Sequence, residues 1–122
     1  MLANRAKARV RETGPGGFPC TALLFSLATT AALADDTGLA YSHTLRKEGG
    51  RTCMADHYHS GSGEGRSKEA ARASAVRSWI DFTNFEYGTA WARFGAAASP
   101  SAHYTKEASG WSATVEARPC KG

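Results

Sequence analysis

The chain has 122 residues and carries 15 lysines and arginines against 11 aspartates and glutamates, a formal net charge of +4 at pH 7. Four of the basic residues and one acid lie within the first 34 residues, which leaves 11 positive against 10 negative charges over residues 35–122, a net charge of +1. With a net charge so close to zero, residues 35–122 do not imply a global attraction to nucleic acid or to an anionic membrane.

The first 34 residues have the organisation of an export signal. A basic stretch with Arg5, Lys7, Arg9 and Arg11 precedes the apolar run CTALLFSLATTAAL, residues 20–33, and Ala34 completes a small-x-small cleavage pattern. The apolar run is shorter than the roughly 20 residues that cross a bilayer, so we expect no stable membrane anchor after cleavage. The sequence predicts a signal peptide over residues 1–34, with an amphipathic N-terminal arm as the alternative.

The mature chain predicted from this cleavage, residues 35–122, is one small domain in the periplasm or outside the cell. A domain of this size buries a limited core and often needs a covalent link. Two cysteines remain in it, Cys53 and Cys120, and an even count in an exported chain predicts a disulfide between them. In the chain-entropy description, closing so long a loop contributes about 4 kcal/mol. Two buried free thiols are the alternative.

Alternating polarity predicts two strands at the start of the mature chain. Leu39, Tyr41, His43 and Leu45 would share one face of a strand over residues 39–45. The glycines of residues 47–50 supply turn chemistry, and residues 52–59 are expected to form the returning strand of a hairpin. The three glycines between residues 61 and 65 are expected to break that strand.

Two helical segments are predicted next. Ser67 has the chemistry of an N-cap, and Ala71, Ala75, Trp79 and Phe82 follow helical spacing as a buried stripe. A second helix is expected over residues 84–98, with a kink or fresh start in the region from Thr83 to Gly88. Its buried positions would be Tyr87, Trp91, Phe94 and Ala98.

The C-terminal part predicts a hairpin of strands 102–107 and 111–118 joined by a turn at Ser109-Gly110. Trp111, Ala113, Val115 and Ala117 alternate with polar residues, which is typical of a strand with one buried face. The fold class predicted is α+β, a small antiparallel-rich sheet of order β-β-α(α)-β-β with helices on one face. Pro119-Cys120 is expected to end the pairing of the last strand. If that strand pairs antiparallel with the strand that begins at Cys53, Cys120 lies beside Cys53.

The stretch GEGRSKEAARASA, residues 63–75, resembles the helix motif of double-stranded-RNA-binding domains. The positions that match are Gly63, Gly65, Ser67, Lys68, Ala71, Arg72 and Ala75. Glu69 stands where that family has a second lysine. The resemblance implies contacts between the helix start and phosphates, and it makes Arg66, Lys68 and Arg72 the candidate anion- or partner-binding residues.

The segment DHYH, residues 56–59, is the candidate metal site. On a strand His57 and His59 point to the same side, where two imidazoles can hold one Zn²⁺ or Cu²⁺ ion. The third ligand would be His43 on the paired strand, Asp56 or His103. Polar residues at a strand end are the alternative interpretation.

A broader resemblance covers residues 52–120. Trp79, Tyr87-Gly88, Trp91, Phe94 and a tryptophan-led strand that ends in Ala-Arg-Pro-Cys120 resemble uncharacterised small exported bacterial proteins. This resemblance implies export and fold and supplies no activity. Without a Gly-x-Ser-x-Gly, Walker or His-Glu-x-x-His motif, the sequence predicts no enzyme. It predicts an exported, disulfide-stabilised binding or interaction protein with an extracytoplasmic protein or small ligand as partner. Divalent-metal binding is the alternative, and RNA binding is a remote one.

Overall fold

A computed structural model describes residues 35–122 of the chain, together with Gly14, Gly16 and Gly17. Apart from these three glycines, the predicted signal peptide and its cleavage site lie outside the described residues. The described elements, in chain order, are a 3-10 helix at Leu39–Ser42, β1 (Leu45–Glu48), β2 (Arg51–Met54), β3 (His59–Gly65), α1 (Lys68–Tyr87), a 3-10 helix at Phe94–Ala96, β4 (Ala98–Glu107), β5 (Gly110–Arg118) and β6 (Cys120–Lys121).

The strands form two antiparallel sheets of three strands each, in the orders β1-β2-β6 and β3-β5-β4. The helix α1 packs on β3 and β5. The predicted α+β class is therefore confirmed, although one sheet was expected where there are two. The chain changes sheets between β2 and β3, and again at Pro119 between β5 and β6.

The predicted disulfide is present between Cys53 and Cys120. The two residues are opposite each other in the pairing of β2 with β6, their Cα atoms lie 4.0 Å apart, and both side chains are buried. The partner strand is the short β6, whereas the long β5 pairs with β3 and β4. The pairing of β5 ends at Arg118, just before Pro119 as expected, and Cys120 begins the short strand β6 of the other sheet.

The strand predicted over residues 39–45 is mostly a 3-10 helix, and strand pairing begins only at Leu45. Gly38 enters the helix with a φ of 81°, and the Ser42 hydroxyl donates to the carbonyl oxygen of Leu39 at 2.7 Å. Leu39 and Tyr41 are 58% and 57% exposed. The alternation of apolar and polar residues from Leu39 to Leu45 therefore does not correspond to a strand with one buried face. The turn at Gly49-Gly50 is confirmed, with φ values of 57° and 82°.

The returning strand predicted over residues 52–59 is divided between the two sheets. It pairs with β1 as far as Met54, whose N–H donates to the carbonyl of Pro119 at 3.0 Å. The backbone then bends, and His59 begins β3 in the other sheet. The alternation of side chains in the sequence predicts a strand but does not show that its first half and its second half pair in different sheets.

The glycines expected to break the strand form part of β3 and line its contact with α1. A Cβ atom at Gly61, Gly63 or Gly65 would lie less than 3.0 Å from backbone atoms of α1. Opposite them on the helix stand the small side chains of Ala71 and Ala75, both fully buried. Glycine on the strand and alanine on the helix therefore allow the two backbones to approach closely.

We expect Gly63→Ala to destabilise the domain by about 3 kcal/mol or more, because the added methyl group meets helix backbone that has little room to move. Gly95→Ala is the matched control, since a Cβ at Gly95 has no heavy atom within 4 Å. Urea unfolding of the two variants measures the difference. Equal stability of the two proteins would contradict this account of the packing.

The start of α1 is as predicted, with the Ser67 hydroxyl accepting from the N–H of Ala70 at 3.1 Å. The buried stripe, however, keeps a spacing of four residues throughout. After Trp79 it continues with Thr83 and Tyr87, and Phe82 is 44% exposed. The assignment of Phe82 to the core was therefore wrong.

The second helix predicted over residues 84–98 is absent from the described fold. The helix α1 runs without a break to Tyr87 and ends at Gly88, whose φ of 93° suits glycine. Trp91 and Phe94 are nonetheless buried as expected, in a turn and in the second 3-10 helix. Their apolar character correctly predicted burial, and their spacing wrongly predicted a helix.

The C-terminal hairpin is confirmed. Ala113, Val115 and Ala117 of β5 are buried in one cluster with residues of α1. The strand before it, β4, begins at Ala98, four residues earlier than predicted, with an irregular register between Ala98 and Ser101. The turn falls at residues 108–109.

Candidate metal centre

Two histidines and a carboxylate meet where the last turns of α1 face the start of β3. His57 precedes β3, His59 is its first residue, and Glu86 is the last residue but one of α1. One ligand atom from each of the three residues lies within 4.8 Å of the other two. They form the only such group of three among the residues that the structure describes.

His59 is the buried member, with 1% of its surface exposed. Its Nδ1 atom lies 2.8 Å from Oγ1 of Thr83, and its Nε2 atom lies 2.8 Å from Oε2 of Glu86. The contact of Nε2 with the carboxylate is short, but it is not aligned as a hydrogen bond, and no other described group satisfies this buried nitrogen. When Nδ1 carries the proton and donates to Thr83, Nε2 has a free lone pair close to the Glu86 carboxylate. A carboxylate beside a lone pair is favourable only with a proton or a metal cation between them, and the poor alignment of this contact favours the metal cation.

Burial is the main cause that lowers the pKa of His59 below its ordinary value of 6.5. Glu86 opposes this shift, whereas the imidazoles of His57 and His43 reinforce it. His59 is therefore neutral at pH 7. The neutral imidazole is the form that binds a metal ion, because its free nitrogen keeps the lone pair.

Two further aromatic side chains hold the ligand rings. The ring of Tyr87 stacks on His59 with centroids 4.9 Å apart, and the ring of His43 stacks on His57 at 4.4 Å. The Tyr87 hydroxyl and Nε2 of His43 are 2.9 Å apart and link these two stacks. Burial raises the pKa of Tyr87 to about 12, so its hydroxyl keeps the proton.

The N-terminal part of the described chain fastens the end of α1 that carries Glu86. The Thr37 hydroxyl donates to the Glu86 carbonyl at 2.6 Å, and the Thr37 N–H donates to the Tyr87 carbonyl at 3.1 Å. Asp35 donates its N–H to Oγ1 of Thr89 at 2.7 Å. The last turn of a helix has unpaired carbonyl groups and tends to fray, so these contacts keep Glu86 in place.

Two imidazoles and one carboxylate form a ligand set that zinc uses in proteins, with metal–ligand distances of about 2.0–2.2 Å. Two ligands of one zinc ion therefore lie at most about 4.4 Å apart. The present spacing, within 4.8 Å, needs only a small inward movement of the half-buried His57 or of Glu86, whose side chain is 35% exposed. Three protein ligands leave at least one coordination position for water or another ligand.

The sequence predicted His57 and His59 as a pair, and the structure brings them together. His43, predicted as the third ligand, stands behind His57 with its Nε2 atom turned to Tyr87. Asp56 is exposed and lies outside the group of three, and His103 is exposed on β4. Glu86 was missed because the sequence placed it near the start of a second helix.

The basic residues suggested by the helix motif do not converge on one point. The Nζ atom of Lys68 lies 4.7 Å from the ring centroid of Trp111, and the guanidinium of Arg72 lies 5.7 Å from that of Phe94. Arg66 lines a separate cavity of about 470 Å³ at the end of the β4–β5 hairpin, together with Glu64 and Glu107. Double-stranded RNA binding remains a prediction from the sequence alone.

A second polar group, which the sequence did not predict, joins the two sheets. Arg118 of β5 is 3% exposed and donates to both carboxylate oxygens of Glu48 on β1, at 2.7 and 2.8 Å. It also donates to Oγ of Ser99 at 3.1 Å and to the carbonyl of Met54. These bonds satisfy the buried guanidinium, so the group has a structural role.

The hydrogen bonds from Arg118 lower the pKa of Glu48 from 4.5 to about 2, and Lys121 lowers that of Asp36 to about 2. A lowered carboxyl pKa contributes stability above pH 4.5 that is lost as the pH falls towards 2. We expect the melting temperature to fall over this range, and Glu48→Gln to remove part of that fall while lowering stability at pH 7. Circular dichroism melts from pH 7 to 2 measure both effects.

Glu69→Gln, at an exposed site in the first turn of α1, removes the same charge and is the control for this experiment. A Glu48→Gln variant with the same pH profile as the unchanged protein would contradict the role given to the ion pair.

The chain matches no protein-family model, and comparisons with curated proteins and with solved structures find no significant match. Within the part of the chain that the structure describes, no helix has the length and apolar character needed to cross a membrane.

Proposed function

We propose that this chain is an exported protein that binds one divalent transition-metal ion through His57, His59 and Glu86. The observation that carries the proposal is the buried Nε2 atom of His59, which faces the Glu86 carboxylate at 2.8 Å without an aligned hydrogen bond. A metal ion bound by both groups satisfies the nitrogen and neutralises the carboxylate. The outer contacts from Thr83 and Tyr87 orient the ring, as such partners do in known metal sites.

Export is supported by the disulfide and by the N-terminal sequence. Disulfides persist mainly in oxidising compartments, and Cys53–Cys120 is such a bond in a domain with a small core. The predicted cleavage after Ala34 would leave Asp35 as the first residue, so Asp35 and Thr37, which bond to Thr89 and to the end of α1, would remain in the mature protein. The binding function is therefore proposed for the periplasm or the extracellular space.

The donor atoms favour zinc and copper over magnesium and calcium. Imidazole nitrogen suits Zn²⁺ and Cu²⁺, whereas Mg²⁺ and Ca²⁺ prefer sites made of oxygen ligands. Between the two favoured ions, the general order of affinities places Cu²⁺ above Zn²⁺. We therefore expect Cu²⁺ to displace Zn²⁺, and Mg²⁺ to leave the site unaffected.

Isothermal titration of residues 35–122 with zinc tests this function. We expect saturable binding of one equivalent of zinc, and no heat on titration with magnesium. The absence of zinc binding by a folded, disulfide-bonded protein would contradict the proposed function, as would a zinc stoichiometry that does not saturate.

A further inference from the structure

The outer edge of β4 is a second candidate binding surface, formed by an exposed strand edge with lysine side chains beside it. This strand is the last of its sheet and pairs only with β5 among the described strands. Residues 99–107 are all exposed, so neither face of the strand is covered by α1. An edge strand of this length offers a row of backbone N–H and C=O groups to another extended chain.

Proline and an irregular register, two of the features that protect such edges in natural proteins, are confined here to one end of β4. Pro100 and the irregular register fall between Ala98 and Ser101. From Ser101 to Glu107 every residue pairs in regular register with β5, without a proline or a bulge. Seven consecutive residues therefore keep the geometry that strand addition requires.

Positive charge lines the side of this edge that faces α1. Tyr104 and Lys106 are opposite Ala113 and Trp111 in the register, so they share the face of the sheet on which the helix packs. The Nζ atom of Lys68, at the start of α1, lies 5.5 Å from the Tyr104 ring centroid and 4.7 Å from that of Trp111. The Nζ atom of Lys106 lies 4.9 Å from the same Trp111 ring.

The third cation, Arg72, follows Lys68 by one turn of α1 and lies over the ring of Phe94, in the segment that leads into β4. Lys68 and Lys106 thus lie at the Trp111 end of β4, and Arg72 lies one helical turn further along α1. We call this set, with Tyr104 and Trp111, the basic edge.

The acidic residues of this sheet lie on its opposite face. Glu107 accepts from the Ser112 hydroxyl at 3.0 Å, and Glu116 accepts from the Ser60 hydroxyl at 3.0 Å. Side chains alternate along a strand, so Ser112 and Glu116 point away from the face that carries Trp111 and Ala113. The two faces of the sheet therefore differ in the sign of their charge.

We propose that the basic edge binds an extended peptide segment with acidic residues at every second position, which adds to the sheet beside β4. An added strand lies about 4.8 Å from its neighbour and places alternate side chains on one face. Acidic side chains on the helix side then meet Lys68 and Lys106, while the backbone supplies the hydrogen bonds. The positive charge of the basic edge is the reason for proposing an acidic partner. The basic edge shares no residue with the proposed metal site, so the two proposals can be tested separately.

A fluorescein-labelled peptide of seven residues that alternates glutamate and threonine is the probe, with fluorescence anisotropy as the readout. We expect saturable binding to residues 35–122, and at least tenfold weaker binding of the same peptide with lysine in place of glutamate. Two further acidic peptides are N-methylated at every second amide, one at the odd and one at the even positions. Each keeps the charge of the unmethylated peptide but cannot donate hydrogen bonds along one of its two edges. The version methylated on the edge that faces β4 is expected to bind at least tenfold more weakly than the unmethylated peptide.

The variant Lys68→Gln/Lys106→Gln is expected to weaken binding of the acidic peptide at least tenfold. Lys47→Gln/Arg77→Gln is the matched control, because it removes two exposed positive charges away from this edge. Equal effects of the two double variants, no binding of the acidic peptide, or full binding of both N-methylated versions would overturn the proposal.

Two other possible occupants of the basic edge, a second copy of this chain and a nucleic acid, are distinguished by further measurements. A second copy of this chain on the edge would appear as a dimer in sedimentation without peptide and would overturn the proposal. A single-stranded oligonucleotide that binds more tightly than the acidic peptide would also overturn it.

Discussion

Replacing both Cys53 and Cys120 by alanine is expected to lower the free energy of unfolding by about 4 kcal/mol. The disulfide joins residues 67 positions apart along the chain, so its loss releases a long loop in the unfolded state. It also holds the two-residue strand β6 to β2, and therefore connects the C-terminus to the small sheet. Small domains have little stability to lose, so we expect partial unfolding of this variant at 37 °C.

Chemical denaturation of the oxidised, reduced and Cys53→Ala/Cys120→Ala proteins measures this contribution. We expect reduction and the double substitution to lower stability by similar amounts. The single variant Cys53→Ser serves as the control, since it breaks the same bond and leaves Cys120 as a free thiol. A change below 1 kcal/mol in all three comparisons would contradict the role given to the disulfide.

Removing one metal ligand is expected to have the second large effect. Substitution of outer-shell partners in metal sites costs 10–100-fold in affinity, so loss of a ligand should weaken zinc binding by at least about 100-fold. Glu86→Gln keeps the size of the side chain and removes its charge, at a side chain that is 35% exposed. It is therefore a cleaner test than His59→Ala, which also leaves a cavity in the buried part of the site.

Zinc titrations compare Glu86→Gln and His57→Ala with two control variants. Asp81→Asn removes an exposed carboxylate from the same helix, and His103→Ala removes an exposed imidazole from β4. We expect the controls to bind zinc as the unchanged protein does. Equal affinities of Glu86→Gln and Asp81→Asn would show that Glu86 is not a ligand.

The sequence predicted those parts of the fold that depend on local chemistry. Ser67 was recognised as an N-cap, and the alternation around Val115 predicted a strand with one buried face; both are confirmed. The cysteine count correctly paired Cys53 with Cys120. Each of these features follows from the residue itself or from its near neighbours.

Features that depend on distant backbone were missed. Gly61 and Gly63 were expected to break a strand, because the approach of α1 that requires glycine there becomes visible only in three dimensions. Glu86 was missed for a related reason. Its approach to His59 depends on α1 continuing past Thr83, and the sequence predicted a fresh start in that region.

X-ray absorption spectroscopy of the zinc-loaded protein, residues 35–122, tests the metal site most directly. We predict a first shell of nitrogen and oxygen atoms at about 2.0–2.1 Å, with the outer scattering of two imidazole rings and no sulfur ligand. Sulfur at about 2.3 Å, or a shell of oxygen atoms without imidazole, would contradict the assignment of His57, His59 and Glu86 as the ligands.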